Sequence, residues 1–167
     1  MDVEKDKLTA VYPGTFDPLT NGHVSLVKRG LDIFDEIVVA VALHSPKKPL
    51  FSLQERVDMV QQAFDPFPQV TGEPFEGLLI DYVRTKKAKA ILRGMRAVAD
   101  FEYEFQMALM NRRLDRNIQT IFLMTDYKWL YISSTLIKDV ARLGGDITGL
   151  VPQNVQLELL KKCRDEV

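Results

Sequence analysis

The sequence predicts an α/β protein: a Rossmann-like, doubly wound parallel sheet of about five strands in a single domain, residues 1–167, with residues 1–6 as a disordered tail. Three observations predict it. Short apolar runs alternate with stretches of helical periodicity along the chain, and this βαβα order calls for parallel strands joined by right-handed crossovers. Residues 37–43 form an unbroken apolar run rich in Val, as in a strand covered on both faces. A chain of 167 residues is about one domain by length and can bury one sizeable core.

Residues 8–12 read as the first strand. The turn Tyr12-Pro13-Gly14-Thr15-Phe16-Asp17-Pro18-Leu19-Thr20-Asn21-Gly22-His23 follows, and Val24, Val27, Leu31 and Phe34 then mark the apolar side of a helix. The second strand, residues 37–43, breaks at His44-Ser45-Pro46-Lys47-Lys48-Pro49. Ser52-Leu53-Gln54-Glu55 is a capping box opening a helix with Val57, Val60, Ala63 and Phe64 on one side, which Asp65-Pro66-Phe67-Pro68 ends. A weak strand over residues 69–71 precedes a helix over 78–87. Residues 90–92 form a short strand and 100–116 a long helix. Residues 120–124 are the last clear strand. Helices over 134–143 and 152–164 close the pattern, separated by Gly144-Gly145-Asp146, with Pro152 suited to a first helical turn.

The bulk numbers exclude several classes. With 22 basic and 23 acidic residues the net charge is -1, so no global basic field exists to hold a nucleic-acid backbone, and no nucleic-acid partner is expected. Cys163 is the only cysteine, which rules out an internal disulfide and Cys-based metal or redox motifs. The first seven residues are polar and contain no apolar signal core. No apolar run approaches the ~20 residues of a membrane span. A cytoplasmic protein with no membrane partner is expected.

In a doubly wound sheet the ligand sits beyond the C-terminal ends of the strands. The first strand delivers Thr15 and His23 on a turn that opens a helix, where free N–H groups and the helix dipole favour an anion. The second delivers Lys47 and Lys48, the fourth Arg93, Gly94, Met95 and Arg96. The fifth delivers Trp129 and Tyr131 and then Ser133, Ser134 and Thr135 at a helix start. Apart from Asp17, acidic residues look sparse on this edge, so it reads as built for several phosphates. Asp17 and Asn21 read as shaping their own turn and helix start through backbone hydrogen bonds. No Cys–His pair, Gly-x-Ser-x-Gly elbow, Gly-x-Gly-x-x-Gly or P-loop motif is present, and two His make a His-rich zinc site unexpected. Phosphoryl or nucleotidyl transfer needs no protein nucleophile, only positioning and charge neutralisation.

The first turn together with Ser45-Pro46-Lys47-Lys48-Pro49, the block Arg93-Gly94-Met95-Arg96-Ala97-Val98-Ala99-Asp100-Phe101-Glu102-Tyr103-Glu104, and Ile132-Ser133-Ser134-Thr135 resembles the T/H-x-G-H nucleotidylyltransferases, and among them the phosphopantetheine adenylyltransferases. The likeness runs from about residue 8 to the C-terminal helix. It departs at Leu43-His44-Ser45-Pro46 before the lysines, at Thr125-Asp126-Tyr127-Lys128, and at Thr135, which keeps a hydroxyl.

The resemblance implies transfer of AMP from ATP to 4'-phosphopantetheine, giving dephospho-coenzyme A and pyrophosphate, with Mg2+, a homohexamer and possible feedback by coenzyme A. It implies that His23 stabilises the transition state, that Lys47 and Arg93 hold the acceptor phosphate, and that Thr15 and Leu79 meet the acceptor. It implies ATP contacts from Thr15, Phe16, His23, Gly94, Met95, Arg96, Glu104, Trp129, Leu130, Tyr131, Ile132, Ser133, Ser134 and Thr135. No residue is assigned as a metal ligand. Blander readings stand beside these: a capping or core His23, a solvated Lys47–Lys48 loop, surface arginines, a surface charge at Glu104 and a core Leu79. Phe101, Phe105, Met107, Ala108 and Met110 form an apolar surface that is either core or subunit interface. Two other functions remain open, namely nucleotidyl transfer to another phosphorylated acceptor such as nicotinamide mononucleotide or a polyol phosphate, and a noncatalytic nucleotide-binding module.

Overall fold

The strands form where β-branched and apolar residues run without a polar break, and the parallel order buries them on both faces. A computed structural model describes residues 7–45, 48–96 and 98–165. The elements run β1 (Thr9–Gly14), α1 (Asn21–Gly30), β2 (Glu36–Ala42), α2 (Leu53–Phe64), β3 (Val70–Phe75), α3 (Leu79–Thr85), β4 (Ala90–Met95), α4 (Val98–Leu114), β5 (Gln119–Met124), α5 (Ser134–Arg142) and α6 (Gln153–Asp165), with a short 3-10 turn at Tyr127–Trp129. The expected tail, residues 1–6, lies outside the described residues.

The strands make one parallel sheet in the order β3-β2-β1-β4-β5. The chain winds outward from β1 through β2 to β3, then returns to β4 beside β1 and winds the other way. The switch point therefore lies between β1 and β4, where Ala10 pairs with Ala90 and Val11 with Ile91. Side-chain alternation divides the core. Ala10, Tyr12, Val39, Val41 and Leu92 pack on one face with Leu26 and Val27 of α1, Val57 and Val60 of α2, Ile137 of α5 and Leu159 of α6. Val11, Val38, Ala40 and Ile91 pack on the other with Ile80 and Val83 of α3 and Ile118.

Three expectations change. The weak strand over 69–71 is the full-length β3, Val70–Phe75. It includes Pro74 because β3 is an edge strand, where a missing N–H breaks no ladder on the open side. The strand over 90–92 continues to Met95, so Arg93 and Gly94 belong to β4 and not to a loop. The apolar residues of α4 are not core: Phe101, Phe105, Met107 and Met110 are all exposed, while Glu104 and Asn111 turn inward. The helix spends its buried face on polar partners, which leaves an apolar face outward.

Leu92 is fully buried beneath α1, where the missing side chain of Gly30 lets the two approach (an added Cβ would lie 3.0 Å from Leu92 Cδ2). Leu92→Ala is expected to lower the unfolding free energy by about 3 kcal/mol in urea titration, as for other buried Leu truncations.

Candidate active site

The loop leaving β1 is shaped by one glycine and one aromatic ring. A Cβ on Gly14 would lie 2.9 Å from the Phe16 ring, so only glycine lets that ring fold back over the strand end. There it is 4% exposed and meets Tyr12 and His23 edge-on, with centroids 5.3 and 5.2 Å apart. Its backbone adopts φ 49°, in the left-handed region, a conformation that costs a residue with a side chain about 1–2 kcal/mol. Burial of the ring offsets that strain.

Two buried charges fasten the same loop. The Asp17 carboxylate accepts from the backbone N–H groups of Leu50 and Phe51, both at 2.9 Å, and pairs with Lys138 Nζ at 2.5 Å. Its expected role within its own turn is thus corrected. β1 and β2 are parallel neighbours, so the segments leaving their ends run side by side, and Asp17 bridges them. From below, Arg56 donates to the carbonyls of Thr15 at 2.8 Å, Ala42 at 2.9 Å and Phe51 at 3.2 Å. Asn21 is also not the cap. Thr20 caps α1, and Asn21 Nδ2 donates to the Gly149 carbonyl at 2.7 Å.

His23 completes a capping box with Thr20. The Thr20 backbone N–H lies 3.0 Å from His23 Nδ1. An amide N–H can only donate, so Nδ1 is the acceptor and the ring proton sits on Nε2. Burial first, then the charges of Arg96 and Arg93, push the imidazole down to about 4. At neutral pH it is therefore an uncharged hydrogen-bond donor. The capping reading and the site reading describe one residue using two ring nitrogens.

Arg93 shares the sheet face of Ile91, the face that α4 covers, and this parity brings its guanidinium to Glu104. Nε donates to Glu104 Oε2 at 2.8 Å, Nη2 donates to Oε1, and Nη1 donates to the Pro13 carbonyl at 2.9 Å. Three of its five N–H groups are so engaged, leaving two. Burial alone would lower its pKa; the hydrogen bonds and charge of Glu104 outweigh that and raise it. Glu104 is 9% exposed, which displaces its reading as a surface charge, and Arg93 is no surface arginine. Arg96 donates to Asp100 at 3.3 Å and to the Ile132 carbonyl at 3.0 Å. The edge is thus not poor in acid. Asp100 and Glu104 join Asp17 there, each facing a cation.

These groups line one cavity of about 640 Å³ at the switch point. Ser133 caps α5 by accepting from the Leu136 N–H, and Ser134 Oγ donates to the Pro18 carbonyl at 2.7 Å. The N-termini of α1 and α5 therefore both border the cavity, with Gly22, Ser134 and Thr135 on its wall, and both present the positive end of a helix dipole. Gly22 leaves room for Trp129, whose Cβ would lie 3.3 Å from an added Gly22 Cβ.

The cytidylyltransferase-like family model matches residues 11–140. A phosphopantetheine adenylyltransferase of Nitratidesulfovibrio vulgaris is 64% identical over 97% of this chain and 87% of its own length. One from Oleidesulfovibrio alaskensis is 64% identical over 94% of this chain and 92% of its own length. The chain belongs to the cytidylyltransferase-like family, in its phosphopantetheine adenylyltransferase branch. A solved structure from Vibrio parahaemolyticus, described as a nicotinate-nucleotide adenylyltransferase, matches with a TM-score of 0.68 at 17% identity, covering 96% of this chain and 97% of that one. That likeness is one of fold.

Of the residues that the family resemblance implied, Thr15, Phe16, His23, Arg93, Gly94, Arg96, Glu104, Trp129, Ile132, Ser133, Ser134 and Thr135 line the cavity. Met95, Leu130 and Tyr131 stand beside it without lining it, and Leu79 packs under the far face of the sheet with the second core cluster. Lys47 lies outside the described residues; Ser45, two positions before it, is on the cavity wall. Sequence reasoning missed Tyr12, Asp100, Tyr103, Thr125 and Lys138, all on the wall. Lys138 was findable, being one helical turn beyond Ser134 and so on the same face.

His23 makes a pH prediction for this family member. Its folded pKa of about 4 lies below the ordinary 6.5, so between those values the unfolded chain binds a proton that the folded chain does not. Stability should be full above about pH 6.5 and fall as pH drops toward 4. His23→Gln retains a capping-box residue and removes the titration. Denaturant midpoints measured across pH 4–7 should show a shallower loss for His23→Gln than for the wild type.

Proposed function

We propose that this protein transfers the adenylyl group of ATP to 4'-phosphopantetheine, releasing pyrophosphate and forming dephospho-coenzyme A. The observation that carries the reading is the convergence, in one cavity at the switch point, of a neutral Nε2–H imidazole, two arginines with N–H groups to spare and two helix N-termini. The names and identities of the relatives favour this acceptor over others.

An oxygen of the acceptor phosphate attacks the α-phosphorus of ATP as the bond from that phosphorus to the bridging oxygen breaks, and pyrophosphate leaves with the electron pair. His23 Nε2 donates to phosphate oxygens as charge builds on them, Phe16 and Thr15 meet the reacting phosphate through the backbone, and Lys47 and Arg93 hold the acceptor phosphate. Arg suits this because its planar fork meets phosphate oxygens in pairs. Gly94, Met95, Arg96 and residues 129–135 border the nucleotide. Glu104 aims Arg93 through its paired hydrogen bonds. Leu79 packs its side chain on the second core cluster and meets the acceptor through its backbone.

Mg2+ is part of the proposal as an ion carried on the nucleotide phosphates. Among the described residues no group of three or more His, Cys, Asp or Glu could hold a metal, and Asp17, Asp100 and Glu104 each face a cation. A magnesium ion held mainly by phosphates and water needs few protein ligands, and no step here depends on a protein cage. The exposed Phe101, Phe105 and Met110 of α4 favour a homo-oligomer, proposed as a hexamer. Cytoplasmic location and feedback by coenzyme A belong to the same reading. No helix among the described residues is long and apolar enough to cross a membrane.

Pyrophosphate release from ATP with 4'-phosphopantetheine should exceed that with nicotinamide mononucleotide or a polyol phosphate; ATP binding without turnover on any acceptor would favour the noncatalytic module. His23→Ala is expected to lower kcat about 100-fold or more, the scale for removing one donor to a developing charge, with a much smaller change in ATP affinity by calorimetry. Equal losses in both would restrict His23 to binding.

A further inference from the structure

Arg56 is used neither by the proposed reaction nor by the cavity wall. The residue is 2% exposed, and its guanidinium donates to three carbonyls from three segments: Thr15 after β1, Ala42 at the end of β2, and Phe51 before α2. A surface arginine would gain as much from water, and a merely structural cation would be expected to meet a carboxylate. Asp17 is instead occupied by Lys138 and two backbone N–H groups.

The Thr15–Phe16 peptide explains the placement. In a trans peptide the C=O and the following N–H point in opposite directions. Arg56 draws the Thr15 carbonyl inward at 2.8 Å, which turns the Phe16 N–H outward. Thr15 and Phe16 both line the cavity, and Arg56 does not. Phe16 is also a left-handed residue, and turns of that kind direct backbone N–H groups into anion-binding concavities. The buried ring of Phe16 and the Arg56 fork thus fix the peptide from two sides.

We propose that Arg56 is a positioning residue for adenylyl transfer: by holding the Thr15 carbonyl it aims the Phe16 N–H at the transferring phosphate. The inference rests on the function proposed above and adds to it a residue outside the cavity. Lysine cannot replace it, because a single ammonium lacks the planar fork that reaches three carbonyls at once.

Thr15–Phe16 is the only Thr–Phe dipeptide in the sequence, so labelling Thr carbonyls with 13C and Phe amides with 15N isolates one amide resonance, that of Phe16. In the wild type this proton should move downfield on adding ATP and magnesium chloride without acceptor. The Phe51 N–H, held by Asp17 at 2.9 Å, should stay put in the 15N-Phe spectrum. In Arg56→Met the ATP response of Phe16 should be lost and kcat should fall about 100-fold, the scale of one misaimed donor, with the KM for the acceptor within about threefold and that for ATP raised, because the same N–H already meets ATP before transfer. Arg56→Lys, which keeps a buried cation if methionine prevents folding, should show the same pattern with about a tenfold loss.

The inference is overturned if a folded Arg56 variant keeps the Phe16 response, or if kcat falls only in proportion to the folded fraction measured by circular dichroism. Wild-type turnover with an unresponsive Phe16 amide would sink the role of Arg56 alone. Absence of both ATP binding and turnover in the wild type would sink the proposed function itself.

Discussion

Beneath the first loop the protein buries a carboxylate and a guanidinium, Asp17 and Arg56, 5% and 2% exposed, and the cavity takes its shape from how these two charges are satisfied. Dehydrating an ion costs several kcal/mol, which is offset only when its hydrogen-bonding groups find well-placed partners. Asp17 finds Leu50, Phe51 and Lys138; Arg56 finds Thr15, Ala42 and Phe51. Those partners lie after β1, at and beyond the end of β2, and on α5. Satisfying two ions therefore requires three separate segments to adopt one arrangement. Their value lies less in added stability than in specifying a single wall.

The charges of the described cavity residues are balanced before any anion enters. Lys138 faces Asp17, Arg93 faces Glu104 and Arg96 faces Asp100. What remains for a polyanion is directional: spare guanidinium N–H groups, two helix N-termini and the Nε2–H of an uncharged imidazole. Such donors are already oriented, so little reorganisation is needed when charge develops on a bound phosphate. The neutral state of His23 follows from burial reinforced by Arg96 and Arg93. The cations that would hold phosphate thus also keep the imidazole from becoming one more cation.

Much of this was legible in order along the chain. The Val-rich run became β2, the Ser52 capping box opened α2, and the turn after β1, the arginines after Leu92 and the hydroxyls at residues 133–135 met at one sheet edge. Less legible were features that depend on neighbours in space. β4 ran on through Arg93 because β5 lay alongside to pair with it, Arg93 with Phe122. A surface charge stayed open beside the ATP contact implied for Glu104, because helical spacing does not reveal what lies across from a helix. Leu79 was implied as an acceptor contact by the family resemblance alone, and only the fold shows that its side chain packs on the second core cluster.

Taken alone, the sequence determined the class of fold, the order of its elements and the turn chemistry that opens α1 and α2, because capping boxes, glycine turns and buried apolar runs depend on residues a few positions apart. Tertiary structure decided which charges pair. Lys138 reaches Asp17 across 121 positions, Arg56 reaches Thr15 across 41, and Arg93 reaches the Pro13 carbonyl across 80. Those distances close only when the crossovers have set β1 between β2 and β4, and no local pattern encodes that adjacency.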